Sequence, residues 1–256
     1  MQQSSKSSVN VQTGGGATVF CQSAQRWISG RIVSSVIEGY ITVEYQIEDK
    51  PFKKSLELTS EDLYVEPTDD HVLTMLPSAM SSLNVRTDPT SMSCYLCTKL
   101  RQALSADCAL INSGYFRGEK NYPCGEFTYG DLQTEMPNSS NVVVLPLPGK
   151  VIEATYQYAA QARDRAVREN PGRWPPGWAM QVDDEMSFQD YNILTIRGQP
   201  FDSGFIYKTV VVYKVAFEGL DNIHPLTEYV NSHIGKIDGK EVSPAKMKLA
   251  SFLMES

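Results

Sequence analysis

Between residues 40 and 47 the chain alternates without a break: Ile41, Val43, Tyr45 and Ile47 are apolar, and Thr42, Glu44 and Gln46 between them are polar. A period of two sends alternate side chains to opposite faces, so this stretch predicts a strand with one buried side. Similar short runs surround it, at Thr18-Val19-Phe20-Cys21, at 30–36 and at 52–58. Glu38-Gly39 between two of them suits a tight hairpin, and Ser60-Glu61-Asp62-Leu63 reads as a short helical turn. About fifty residues of short strands are too few for a sandwich, and residues 18–66 are expected to close into a small β-barrel. Residues 1–17 are rich in Ser, Gln and Gly with no apolar run. They read as a disordered tail, not as a secretory leader.

Beyond a linker at Pro67-Thr68-Asp69-Asp70 the period changes, and residues 71–256 predict a second domain of mixed strands and helices. Leu96, Leu100 and Leu104 recur at helical spacing over 92–104, behind Pro89-Thr90-Ser91. Cys108-Ala109-Leu110-Ile111 predicts a short buried strand, and Thr128 opens a helical turn that ends at Pro137. The apolar, β-branched run 141–147 predicts another strand, and Gly149 leads into a long helix over 150–169. Strands are expected at 192–197 and 207–215, and a last helix at 245–254 after Pro244.

Composition narrows the function classes. The chain has 256 residues, a formal net charge of −7 and a pI near 5.1. That balance opposes generic nucleic-acid binding, which starts from a basic surface. No apolar run approaches the roughly 18 residues of a membrane span. Five cysteines, an odd number without a leader, point to free thiols in a reducing intracellular setting, cytoplasmic or cytoskeletal.

The motif-rich stretch is Ala109-Leu110-Ile111-Asn112-Ser113-Gly114-Tyr115-Phe116-Arg117, followed by Gly125-Glu126-Phe127-Thr128-Tyr129-Gly130-Asp131-Leu132 and then Met136-Pro137. This order resembles the C-terminal, substrate-binding domain of the 5′-nucleotidases. There a strand ends in an Asn-Gly-Gly-x-x-Arg turn, and a Thr-aromatic-x-Asp-Leu helix, a Leu-Pro-Phe turn, a strand and a long helix follow. Leu96-Cys97, the run Ile196 to Asp202, and Gly219-Leu220-Asp221-Asn222 extend the resemblance to residues 72–234. It implies an α+β chain: a small β-barrel followed by a 5′-nucleotidase C-terminal-like α/β domain, with mixed sheets flanked by helices.

In that family a separate metallophosphoesterase domain performs the hydrolysis at a two-metal centre rich in His and Asp. With only His71, His224 and His233, this sequence has none of its metal motifs. Carried over residue by residue, the resemblance implies nucleotide contacts at Asn112 (base), Arg117 (phosphate) and Asp221 (ribose). Phe217 is placed to stand in for a stacking ring. Guanidinium forks suit phosphate. Other family positions differ: Ser91 replaces an Arg, Ser93-Cys94 a Gly-Asn, Asn138 the first stacking Phe, and Lys214 or Val215 the second. Each retained residue also has a structural alternative. Asn112 and Asp221 suit turn caps, and Arg117 could pair with Glu119 or Asp131.

The N-terminal run of strands resembles Tudor-like small β-barrels, in which Trp27, Tyr40, Tyr45 and Phe52 are either an aromatic cage for a methylated side chain or the barrel's own core. Cys94-x-x-Cys97 with Cys108 and Cys124 presents either a zinc-type set or small buried residues. Trp174 and Trp178 around Pro175-Pro176 offer either a partner surface or a loop folded on itself. The expectation is a non-catalytic binding or structural protein, a protein-interaction subunit of a larger assembly, with no cofactor. Its partners are other protein subunits and, vestigially, a nucleotide or nucleoside. The alternative is the substrate-recognition part of a 5′-nucleotidase-type hydrolase in nucleotide catabolism, and a third reading is a Tudor-type reader.

Overall fold

The computed structural model describes residues 11–137, 141–170, 177–238 and 241–255. Its first five strands are β1 (Gly16–Cys21), β2 (Arg26–Ile32), β3 (Tyr40–Ile47), β4 (Lys50–Glu57) and β5 (Leu63–Val65). They form an antiparallel sheet in the order β4-β3-β2-β1-β5. The predicted alternation holds in β3, where Ile41, Val43 and Tyr45 are buried and the residues between them are not. Glu38 and Gly39 both take positive φ, 50° and 83°, the backbone of a tight hairpin turn. Ile37 and Tyr40 exchange both backbone hydrogen bonds around it, at 3.0 and 2.8 Å.

β2 begins at Arg26, so Trp27 lies within a strand that the sequence placed only from Gly30. The inner face of the sheet gathers Ala17, Val19, Cys21, Ile32, Ile41, Val43, Tyr45 and Leu56. Tyr45 stacks on Phe52, with 6.0 Å between centroids. Trp27 pairs with Phe20 across β1 and β2, and it lies three residues from Gly30, the register partner of Tyr45. Strand alternation therefore puts Trp27 and Tyr45 on opposite faces. Tyr40, 48% exposed, stands apart from both pairs. The four aromatics considered as a cage do not converge, and only Tyr45 belongs to the buried core. The edge strand β4 carries Lys50, Pro51, Lys53 and Lys54, residues that discourage pairing with another chain.

The second segment contains β6 (Val72–Leu76), β7 (Met80–Ser81), α1 (Ser91–Ala103), β8 (Cys108–Asn112), β9 (Asn121–Tyr122), β10 (Gly125–Thr128) and α2 (Tyr129–Glu135). Next come β11 (Asn141–Pro148), α3 (Gly149–Glu169), β12 (Met180–Val182), β13 (Ser187–Gln189), β14 (Asn192–Ile196) and β15 (Gln199–Pro200). The chain continues through β16 (Ile206–Val212), α4 (Tyr213–Phe217), α5 (His224–His233), β17 (Ser243–Pro244) and α6 (Ala245–Glu255). The central sheet runs β12-β8-β16-β11-β17. Within it β8 and β16 are parallel, and the other pairings are antiparallel.

Two caps fix the helices beside this sheet. Thr90 and Ser93 form a reciprocal capping box on α1, and Thr128 and Asp131 form one on α2; each satisfies two otherwise orphaned amides. The apolar stripe of α1, Met92, Leu96 and Leu100, is fully buried. The strand expected through 215 stops at Val212, where α4 takes over. No helix among the described residues is long and apolar enough to cross a membrane. Tyr64 of β5 packs against the main core. A small cavity between the two segments is lined by Trp27, Tyr64, Glu66, Tyr129 and Lys246, among others.

Candidate functional site

β8 and β16 run side by side in the same direction, so their carboxyl ends open at one edge of the sheet. That edge is where α/β folds hold ligands. The turn that follows β8 carries Asn112 and Arg117, and α4, which follows β16, ends at Phe217. The topology thus brings three of the four expected contacts to one end of the sheet. The fourth, Asp221, lies in a 3-10 turn just beyond α4; its side chain lies outside the described residues.

The side chains at this edge are engaged by the protein itself. Asn112 is 1% exposed, and its Nδ2 donates to the Gly177 carbonyl at 3.3 Å. The same carbonyl accepts the Gly114 amide at 3.0 Å, and Ser113 N donates to the Ala179 carbonyl at 2.6 Å. The lead-in to β12 is therefore laid directly over the turn, in register with Met180 opposite Asn112. Arg117 is exposed, and its Nε donates back to the Gly114 carbonyl at 2.7 Å. Neither carboxylate suggested as its partner is joined to it. Asp131 pairs with Lys120 at 2.8 Å, and Glu119 accepts the Asn84 amide at 3.0 Å. Phe217 stacks on Tyr213 of its own helix, centroids 4.9 Å apart.

The replaced positions are also absorbed by the scaffold. Ser91 Oγ accepts the Ser81 amide at 2.8 Å. Ser93 is buried and donates to Gln181 Oε1, which also accepts the Thr90 amide at 3.2 Å. Gln181 Nε2 donates to the carbonyls of Val85 and Asp88, at 2.9 and 3.1 Å. Both ends of the Gln181 amide are used, and the chain before α1 is tied to β12. Lys214 is exposed and Val215 is part of the core, so neither offers an aromatic face. Asn138 and Trp174 lie outside the described residues.

Sequence patterns missed three residues here. Gln181 is one. Asp183, 1% exposed, is the second: its Oδ2 accepts the Ala109 amide at 2.7 Å, and its Oδ1 lies 3.3 Å from Arg101 Nε. Burial pushes its carboxyl up to about 6, although Ala109 and Arg101 pull the other way. The third is Glu135, wholly buried at the end of α2. All three sit in polar-looking runs whose burial only the tertiary fold decides.

Burial pushes the thiols of Cys94 and Cys108 up, to about 11 and about 12, and that of Cys97 well above its ordinary range. Such thiols are poor nucleophiles at neutral pH. Among the described residues, no group of three or more His, Cys, Asp or Glu could hold a metal ion.

Gly177 has no room for a side chain. A Cβ there would stand 2.4 Å from Gly114 Cα and 3.0 Å from Arg86 Nη1. Gly177→Ala is expected to lift the β12 lead-in off the turn and cost about 1–3 kcal/mol in urea unfolding. Gly114→Ala, whose new Cβ would meet nothing nearer than 3.4 Å, is expected to cost less than about 1 kcal/mol. Equal costs would show that the contact is not tight.

Residues 68–227 match the family model of the 5′-nucleotidase C-terminal domain. No curated protein sequence matches the chain. The fold is similar to that of a 5′-nucleotidase precursor from Thermus thermophilus, with a TM-score of 0.54 and 16% identity over 90% of this chain. It is also similar to the NAD nucleotidase of Haemophilus influenzae, with a TM-score of 0.52 and 12% identity over 90% of this chain. The chain spans about half the length of those structures, 49% of each. At such identities these likenesses speak for the fold alone. The family match covers well over half of the sequence, and the chain belongs to the 5′-nucleotidase C-terminal domain family.

Proposed function

We propose that this chain is a non-catalytic binding protein, a protein-interaction subunit of a larger intracellular assembly, in which the family's nucleotide site has been closed by internal hydrogen bonds. The observation that carries this reading is the Gly177 carbonyl, which accepts both the Asn112 side chain and the Gly114 amide. A base would have to displace that peptide to reach Asn112. The Ser93–Gln181 network supports the same conclusion on the α1 side. Two stacking rings are replaced by Asn138 and by Lys214 or Val215. At about 1–3 kcal/mol per stacked base, their loss weakens nucleotide binding by orders of magnitude. In this reading the N-terminal sheet is a small Tudor-like β-barrel module. The separation of Trp27 from Tyr45 and Phe52 argues against a methyl-reading role for it.

A second reading has one observation in its favour: Arg117 remains exposed, at the edge where parallel strands end. The chain would then hold nucleotide for a metal-bearing domain. The purified chain assayed with AMP and manganese or zinc tests the proposal. Release of phosphate at the rate of the protein-free control is expected, and hydrolysis above that control would contradict it.

A further inference from the structure

Glu135 closes α2 with its carboxyl wholly buried. The hydroxyls of Ser82 and Tyr122 both donate to Oε1, at 2.6 and 2.5 Å, whereas Oε2 is buried with no hydrogen-bond partner. The 117–122 loop is wrapped around this group. Arg117 N donates to the Glu135 carbonyl at 2.8 Å, and Ser82 N donates to the Lys120 carbonyl at 2.9 Å. Lys120 N donates to Ser82 Oγ at 3.2 Å. At Gly118 a Cβ would fall 1.8 Å from Glu135 Oε1, so the loop backbone lies directly on the carboxyl. Any side chain at 118 would dislodge it.

The charges around the group do not neutralise it. Lys120, the nearest cation, is bound to Asp131 at 2.8 Å and lies over the Tyr122 ring, 4.6 Å from its centroid. Glu119 accepts the Asn84 amide, and Arg117 is directed to the Gly114 carbonyl. Tyr122, on β9, supplies a hydroxyl whose own ionisation is pushed up by burial and by Glu135. An ionised Glu135 would thus be a buried anion with two hydroxyl donors on one oxygen and none on the other, a costly arrangement.

We infer that Glu135 is an ionisation-controlled fastener of the 117–122 loop: the neutral acid seals the loop, and the carboxylate loosens it. The inference is independent of whether a nucleotide binds, but it governs the loop that begins at Arg117. Burial, the largest influence, holds the Glu135 carboxyl above its ordinary value, against the pull of Ser82 and Tyr122. A carboxyl raised in the folded state stabilises the fold fully below its unfolded pKa, and that contribution is lost as pH rises through the folded value.

Hydrogen exchange of the 117–122 amides in the full chain tests this, at about pH 5 and about pH 8 with correction for intrinsic rates. In the wild type, protection should fall by about tenfold at the higher pH, a difference of about 1.4 kcal/mol. Glu135→Gln, neutral at both, should keep its protection, and its urea stability relative to wild type should rise with pH. Equal protection of the wild type at the two pH values would overturn the inference. A Gln variant that is looser at both, or that does not fold, would do so as well. The carboxyl carbon resonance of Glu135 in the wild type gives an independent reading. Titration at or below the ordinary glutamate range would sink the idea.

Discussion

Gln181→Leu should be among the most damaging single substitutions in this chain, costing about 4 kcal/mol of folding stability. Leucine is close in volume, so the loss comes from polarity. Gln181 accepts from the Thr90 amide and the Ser93 hydroxyl, and donates to the carbonyls of Val85 and Asp88. It is 1% exposed, so water cannot take over those bonds. Each buried group left unpaired costs about 1–3 kcal/mol. Thr90 and Ser93 keep part of their bonding through the capping box, which is why the estimate stays well below four full penalties. Against a typical total of about 5–15 kcal/mol, such a loss would move the urea midpoint far down. A cost under about 1 kcal/mol would mean that the network is open to solvent, and the closed-site account would lose one of its two supports.

The second large effect is expected at Arg101. Its side chain is 7% exposed, and it reaches Asp183 at 3.3 Å and Glu185 at 2.8 Å. Glu185 is 43% exposed and can turn to water, but Asp183 cannot. Arg101→Met leaves the Asp183 charge buried with only backbone donors, and one-sided removal of such a partner costs about 3–5 kcal/mol. The sign of the pH dependence follows. The Asp183 carboxyl is already pushed up to about 6 by burial. The fold therefore retains a proton that the unfolded chain has lost, and this contribution falls as pH rises through about 6. Removing Arg101 moves the carboxyl further up, so the cost of the substitution should be smaller near pH 5 than near pH 8. Adding Asp183→Asn to Arg101→Met should recover part of the loss near pH 8. A double variant no more stable than the single one would show that the pair is not coupled.

How far the sequence could be read follows from what each signal encodes. Strict alternation identified β3, and Glu38-Gly39 identified its hairpin, because both are local properties of the backbone. Asn112 to Arg117 and the Thr128–Asp131 box identified the family domain for the same reason. The end of β16 was not readable. Val210, Val211, Val212 and Val215 look like one continued strand, yet α4 begins at Tyr213, where Tyr213 and Phe217 stack one turn apart. Trp27 was expected outside a strand because its face is filled by Phe20 from a neighbouring strand, a contact no local pattern records. Gln181, Asp183 and Glu135 were invisible for a deeper reason. Polar residues in polar runs read as surface, and only the packing of β12 on β8, and of the 117–122 loop on α2, makes them interior. The candidate contacts were found at the right end of the sheet, but their internal hydrogen bonds depend on a peptide 65 residues away from Asn112.

That peptide decides the account. Calorimetric titration of the full chain with AMP, carried to about 1 mM, asks directly whether the Asn112 turn still admits a base. With the Gly177 carbonyl holding Asn112 and Gly114, no saturable heat is predicted over that range. A micromolar Kd, lost on Arg117→Ala, would contradict the closed site and restore this chain as a nucleotide-holding domain.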